Sequence, residues 1–231
     1  QRRRLLTAFP QFGNTSVTEY NGSSEFHSIQ LQFMKRFTRA LSLNGSYTWS
    51  REHIKNQYLN PQDTELTEYI SPFERPHRFT LSGIYELPVG KGRTWGKNWH
   101  SVADAILGGW QIQGLYEWQS GGPLLLPNVF YNGDITQLSS RLGKKNEQGL
   151  RYGVDVPAWD ISGFRVNGTV PGVANNFTSS SAVTLRNVPF TVDGLRNQRF
   201  LKFDVGLSKN FRIREGMKLQ VRVDAINVLN T

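Results

Sequence analysis

The chain has 231 residues, a formal net charge of +9, a mean hydropathy of −0.46, 12% aromatic residues and no cysteine. No apolar run of about 18 residues occurs, which excludes a membrane-spanning helix but leaves strand-built membrane proteins open. Lack of cysteine excludes a disulfide framework and thiolate metal sites. The basic charge is dispersed apart from Arg2 to Arg4 and forms no stripe, so no nucleic-acid partner is expected.

Alternation of apolar and polar residues with period two predicts six strands, at 26–37, 41–52, 77–87, 110–120, 200–211 and 217–228. In the first, Ile29, Leu31, Phe33 and Phe37 oppose Ser28, Gln30, Gln32 and Arg36. In the second, Leu41, Leu43, Tyr47 and Trp49 oppose Ser42, Asn44, Ser46 and Thr48. In the third, Phe79, Leu81, Tyr85 and Leu87 oppose Arg78, Thr80, Ser82 and Glu86. In the fourth, Trp110, Ile112, Tyr116 and Trp118 oppose Gln111, Gln113, Glu117 and Gln119. In the fifth, Leu201, Phe203, Val205, Leu207 and Phe211, interrupted by Lys209, oppose Lys202, Asp204, Gly206, Ser208 and Asn210. In the sixth, Met217, Leu219, Val221, Val223 and Ala225 oppose Lys218, Gln220, Arg222 and Asp224. Met34, Ile84 and Leu115 are the exceptions on the polar face.

The connections alternate in length. Thr38 to Ala40 and Arg212 to Gly216 are short, whereas 53–76 and 121–199 are long. Connection 88–109 belongs to the short set and carries the turn-rich Pro88 to Gly92 and a helical turn at Ala103 to Leu107. Short turns at one end and long loops at the other describe a membrane barrel. Strands of about 10 residues, tilted, cross an apolar band, whereas soluble strands average about 5–6. Aromatics on the apolar face gather at strand ends: Phe37, Tyr85, Trp110 and Phe211 at the short-turn end, and Tyr47, Trp49, Phe79, Trp118 and Phe203 near the long-loop end. These are expected to be girdles at two membrane interfaces. Charges in mid-strand (Glu117, Asp204, Arg222, Asp224) suit a wet or plugged lumen. The expected fold is therefore all-β, an antiparallel transmembrane barrel in the bacterial outer membrane. Its natural surroundings are outer-membrane lipid and lipopolysaccharide. Both chain ends read as cut, and six strands cannot close a wide barrel.

Several stretches carry a family resemblance: Glu25 to Gln32, Tyr47 to Ser50, Pro72 to Phe79, Tyr85 to Gly92, Gly108 to Gln111, Ser120 to Pro123, and Phe203 to Phe211 followed by Arg222 to Asn230. In order and spacing they resemble TonB-dependent receptors with Oar-like β-barrels. The resemblance implies a barrel of about 22 strands around an N-terminal plug. It also implies energy-coupled uptake of a ligand too large for porins, driven by TonB–ExbB–ExbD through an N-terminal region absent from this chain. The ligand is unknown, and no substrate-contacting residue is carried over from the family. A passive channel or an adhesin on the same barrel is the rival reading, and a soluble carbohydrate-binding β-domain a more distant one.

Other signals are weak. Gly90-Lys91-Gly92 lacks the spacing of a phosphate-binding loop. His27, His53, His77 and His100 form no metal-ligand pair. Glu147, Asp155 and Asp160 read as solvated loop charges, and no nucleophile elbow occurs. Hence no catalysis, cofactor or metal is expected. In the long loop, Phe130, Tyr131, Trp159 and Phe164 either stack on a ligand or pin the loop to itself. Gly45, Gly83 and Gly114 on the apolar faces are expected where a barrel bends or packs closely, with a flat patch against a partner lipoprotein or a second barrel as the alternative.

Overall fold

The computed structural model describes residues 19–38, 40–60, 63–165, 186–214 and 216–229. Six long strands lie side by side in chain order: β1 (Ser23–Thr38), β2 (Leu41–Gln57), β4 (His77–Glu86), β5 (Trp110–Gln119), β8 (Phe200–Arg214) and β9 (Met217–Ala225). The short β3 (Thr67–Ile70) pairs with the far end of β2, and the two-residue strands β6 (Phe130–Tyr131) and β7 (Phe164–Arg165) pair with each other. Helix α1 spans Ser101–Leu107 and a single 3-10 turn spans Ile135–Gln137.

Residues directly opposite in an antiparallel pair share a face, so the register decides whether the six alternating patterns add up. They do. Tyr47 faces Phe79, Phe79 faces Trp118 and Trp118 faces Leu201; nearer the other end Tyr85 faces Ile112, Ile112 faces Leu207 and Leu207 faces Val223. The polar set is equally aligned, from Ser46 through Thr80 and Glu117 to Lys202.

The strand limits differ from the periodicity at several ends. β2 runs five residues past the expected 52, because His53, Ile54, Lys55 and Gln57 pair with β3 inside what read as loop 53–76. β8 continues to Arg214. β9 stops at Ala225 rather than 228: Asn227 takes a left-handed φ of 52°, its N–H donates to Asp204 Oδ1 at 2.8 Å, and the Val228 N–H donates to the Phe203 carbonyl. Asn tolerates that conformation better than other non-glycine residues, so a side-chain acceptor on the neighbouring strand can turn the chain there.

The described residues within 1–27, 51–74 and 121–198 form one compact unit, the loop unit; those within 28–50, 75–120 and 199–231 form a second, the strand unit. Residues 121–198 of the long connection 121–199 thus join 51–74 in a unit with its own hydrophobic core: Leu126, Val129, Leu138, Phe164, Val188, Val192 and Leu195.

Among the described residues, every buried large apolar side chain belongs to the loop unit. Among the described residues the strand unit has no such core. Its apolar face lies bare: Ile29, Leu31 and Phe33 on β1 and Leu219, Val221 and Val223 on β9 are each more than half exposed. Soluble monomers rarely leave a contiguous apolar face of this width to water. Of Gly45, Gly83 and Gly114, only Gly83 follows the close-packing expectation, because a neighbouring side chain occupies its space; a Cβ at Gly45 or Gly114 would meet ordinary contacts. A Cβ on Gly83 would meet Leu43 Cδ2 at 2.7 Å, and one on Gly45 would touch Leu81 Cδ1 at 3.4 Å.

Connection 88–109 returns to the sheet through Gly109, whose φ is +72° and whose added Cβ would lie 2.6 Å from the Asn210 carbonyl oxygen. Gly109→Ala therefore combines left-handed strain with a backbone clash. It should destabilise the β5–β8 junction by about 1–3 kcal/mol, read as a lower urea midpoint for the protein folded in vesicles.

Candidate functional site

Two polar constructions stand out, one in each unit. On the polar face of the strand unit, Asp204, Arg222, Asp224 and Gln113 line a hollow of about 450 Å³ with Ser42 and Asn44. Register brings them together: Gly206 lies between Gln113 of β5 and Asp224 of β9. Arg222 Nε donates to Asp224 Oδ1 at 2.8 Å, and the Gln113 amide oxygen, turned toward Arg222, accepts from the same nitrogen at 2.8 Å. Lys202 Nζ donates to Asp204 Oδ2 at 2.6 Å. Gly206 is required by closeness alone, since a Cβ there would lie 2.5 Å from Asp224 Oδ1 and 2.6 Å from the end of the Gln113 side-chain amide. Five ionisable groups, counting Glu117 opposite Lys202, are thus spread across one face of three strands. Charges so placed need water or a polar filling on that side.

In the loop unit, Glu74 is the organising group. Its side chain is 1% exposed, and Arg196 Nη2 donates to its Oε2 at 2.6 Å. The same guanidinium donates to Asp193 Oδ1 and to the Asp193 and Gly121 carbonyls. Arg51 forks onto the Asp193 carboxylate with two bonds of 3.1 Å, and its Nη1 lies 3.8 Å from Glu74. Partial burial disfavours the Asp193 charge. The hydrogen bonds from Arg51 and Arg196, with their positive charges, outweigh it and hold the carboxyl below its ordinary value of 3.8. A depressed folded value means the stabilisation is complete above the unfolded value near 3.8 and is lost as pH falls through the lowered one. Amide exchange in 186–198 should therefore quicken as pH drops below 3.8, after correction for intrinsic rates, and Asp193→Asn should flatten that dependence.

Arg186 is buried and held without a carboxylate among its described partners. It donates to the carbonyls of Val188, Leu126 and Pro189 and lies 4.3 Å from the centre of the Phe190 ring; burial pulls its pKa down. Next to this framework an open cleft of about 710 Å³ is lined by Arg51, His53, Tyr69, Ile135, Thr191 and Asp193 among others.

The loop aromatics divide. Phe164 is 8% exposed, inside the core; Tyr131 packs on it with ring centres 4.8 Å apart and is clipped by Asn187 through two bonds of 2.8 Å; Trp159 packs against the same core. These three hold the loop to itself in this conformation. Phe130, 38% exposed, keeps an open side. Of the interface aromatics, Tyr47, Phe79 and Trp118 form one cross-strand row and Trp49 lies opposite His77, while Phe203 sits one pair further in, opposite Tyr116. Tyr85, Trp110 and Phe211 lie toward the short-turn ends; the Phe37 side chain is outside the described residues.

The loop carboxylates hold local structure. Asp155 accepts from the Arg151 N–H and Asp160 from the Ser162 N–H. His27 and His53 each approach one carboxylate, Glu25 at 2.8 Å and Glu68 at 3.2 Å, and His77 shares a hydrogen bond with the Tyr47 hydroxyl. Among the described residues no three His, Asp or Glu converge as metal ligands. The Glu74–Arg196–Asp193–Arg51 network was not singled out from the sequence. Its one local sign is an acidic residue between Pro72 and Pro76; its hydrogen-bond partner Arg196 lies more than a hundred residues further along the chain.

No curated protein and no solved structure matches the chain. A family model described as an outer membrane beta barrel domain matches residues 1–231. That match names the solvent which the bare apolar face of the strand unit requires, and the chain belongs to the outer membrane beta barrel domain family and resides in the outer membrane.

Proposed function

We propose that the protein is a TonB-dependent receptor that takes up a ligand too large for porins, with the long connections outside and the short turns in the periplasm. The observation that carries this reading is the loop unit: the long connections fold around a hydrophobic core and a buried ion network instead of forming simple tethers. A folded loop unit with an open, largely apolar cleft rimmed by charged residues suits ligand capture. The charged face of β4, β5, β8 and β9 suits the wet path beside a plug. The resemblance of the strand motifs to Oar-like barrels supplies the energy source, TonB–ExbB–ExbD, acting on a region outside this chain. No covalent chemistry enters, and outer-membrane lipid and lipopolysaccharide surround the barrel.

β1 and β9 each pair on one side only among the described residues. Open strand edges are not tolerated in hydrocarbon, so further strands must meet both edges in the membrane. The test uses the full-length protein. In planar bilayers it should show no steady open conductance, and in cells it should cross-link to TonB. A steady porin-like conductance without TonB contact would establish the passive channel instead.

A further inference from the structure

Connection 88–109 is longer than its short-turn partners, and its shape is unexplained by the sheet. Gly108 and Gly109 fold α1 back against the end of β5, where Asp104 is turned inward and accepts the Lys91 N–H at 2.5 Å. Val102 and Ile106, four residues apart, share one helix face, and Asp104 lies on the opposite one. With Asp104 anchored inward, Val102 and Ile106 point away from the turn and are 72% and 63% exposed; Trp95, in the same connection, is 64% exposed.

This bare surface is continuous with the membrane face. The Trp110 indole N–H donates to the Ile106 carbonyl at 3.1 Å. Lys209, on the apolar face opposite Trp110, donates to the Gly108 carbonyl and lies 5.4 and 5.2 Å from the Trp110 and Phe211 ring centres. The C-terminal end of α1 is thus joined to lipid-facing residues near the ends of β5 and β8. Exposed Lys91, Arg93 and Lys97 lie in the same connection, Arg93 paired with Glu86. Apolar residues on one helix face, a tryptophan and flanking cations are what an interfacial membrane anchor needs.

We propose that 88–109 is such an anchor: α1 lies in the headgroup region of the periplasmic leaflet, with Val102, Ile106 and Trp95 immersed and Lys91 and Lys97 against anionic phospholipid. The assignment rests on the outer-membrane barrel and on the periplasmic side proposed above for the short turns, and is independent of TonB-driven transport.

The chain has no native cysteine, so single nitroxide labels report without background from it. Val102→Cys and Ile106→Cys would each be labelled in the full-length protein, folded in vesicles of phosphatidylethanolamine with phosphatidylglycerol. Heat-modifiable migration certifies folding. Leu81→Cys serves as the lipid reference and Glu65→Cys as the water reference. Both test labels should collide with oxygen more often than with a water-soluble nickel chelate, as at Leu81. Omitting phosphatidylglycerol should reduce that preference, and Lys91→Gln with Lys97→Gln should remove the difference between the two compositions. Labels that behave as at Glu65 in both vesicles would overturn the proposal. So would labels shielded only after periplasmic protein is added, because the occupant would then be a protein.

Discussion

Arg196→Ala should unfasten the loop unit by about 3–5 kcal/mol, the usual consequence of removing one partner of a buried ion pair. The magnitude follows from what is left behind. Glu74 is almost wholly buried, and its 2.6 Å bond from Arg196 is far shorter than its 3.8 Å approach to Arg51. The same substitution also withdraws donors from the Asp193 and Gly121 carbonyls, which leaves the ends of segment 121–198 less well tied. Arg196→Lys keeps the charge but cannot serve acceptors in a fork, so its effect should be intermediate. Glu74→Gln should cost less than Arg196→Ala because it removes the buried charge instead of weakening what balances it. The measurement is hydrogen exchange and limited proteolysis across 121–165 and 186–198, with heat-modifiable migration as a check on the barrel. Exchange in Arg196→Ala that matches the parent would show that the apolar core alone holds the unit.

The second large effect tests the sidedness of the strands. Leu81→Arg should destabilise the folded barrel by about 2–4 kcal/mol, the depth-dependent cost of arginine on a lipid-facing strand near the bilayer centre. Leu81 is opposite both Gly45 and Tyr116 on the bare apolar face. Its neighbour Ser82 is on the other face, where its hydroxyl donates to the Asn44 carbonyl at 3.4 Å and it lines the polar hollow. Ser82→Arg should therefore cost about 1 kcal/mol or less, within the range of ordinary polar surface substitutions. Urea titration in vesicles compares the two directly. Equal costs would mean that the apolar face does not meet lipid.

Six of the strands were legible because each carries its own period-two pattern, and the registers merely align patterns already present. The extension of β2 to Gln57 was not legible. His53 to Gln57 is mostly polar, with Ile54 its single apolar residue, and those residues become strand only because Thr67 to Ile70 returns beside them. The early end of β9 was hidden for a similar reason. Ala225 to Leu229 continues an apolar run, but Asp204 on the next strand captures the Asn227 N–H.

The loop unit marks the same boundary. Glycine, asparagine and serine in 121–199 announce turns, but composition does not say that Leu126, Val129, Val188 and Leu195 will meet. Phe164 looked as available as Phe130, and only long-range packing buries the first and leaves the second partly open. Likewise, no local pattern pairs Glu74 with Arg196. Local alternation set which face of each strand meets lipid and which meets water, because side-chain direction in a strand depends on parity alone. Tertiary structure decided which loop residues became a core, which charges became a buried network, and where the helix in 88–109 would point. Those outcomes depend on contacts between residues far apart in the chain, and a period of two carries no information about them.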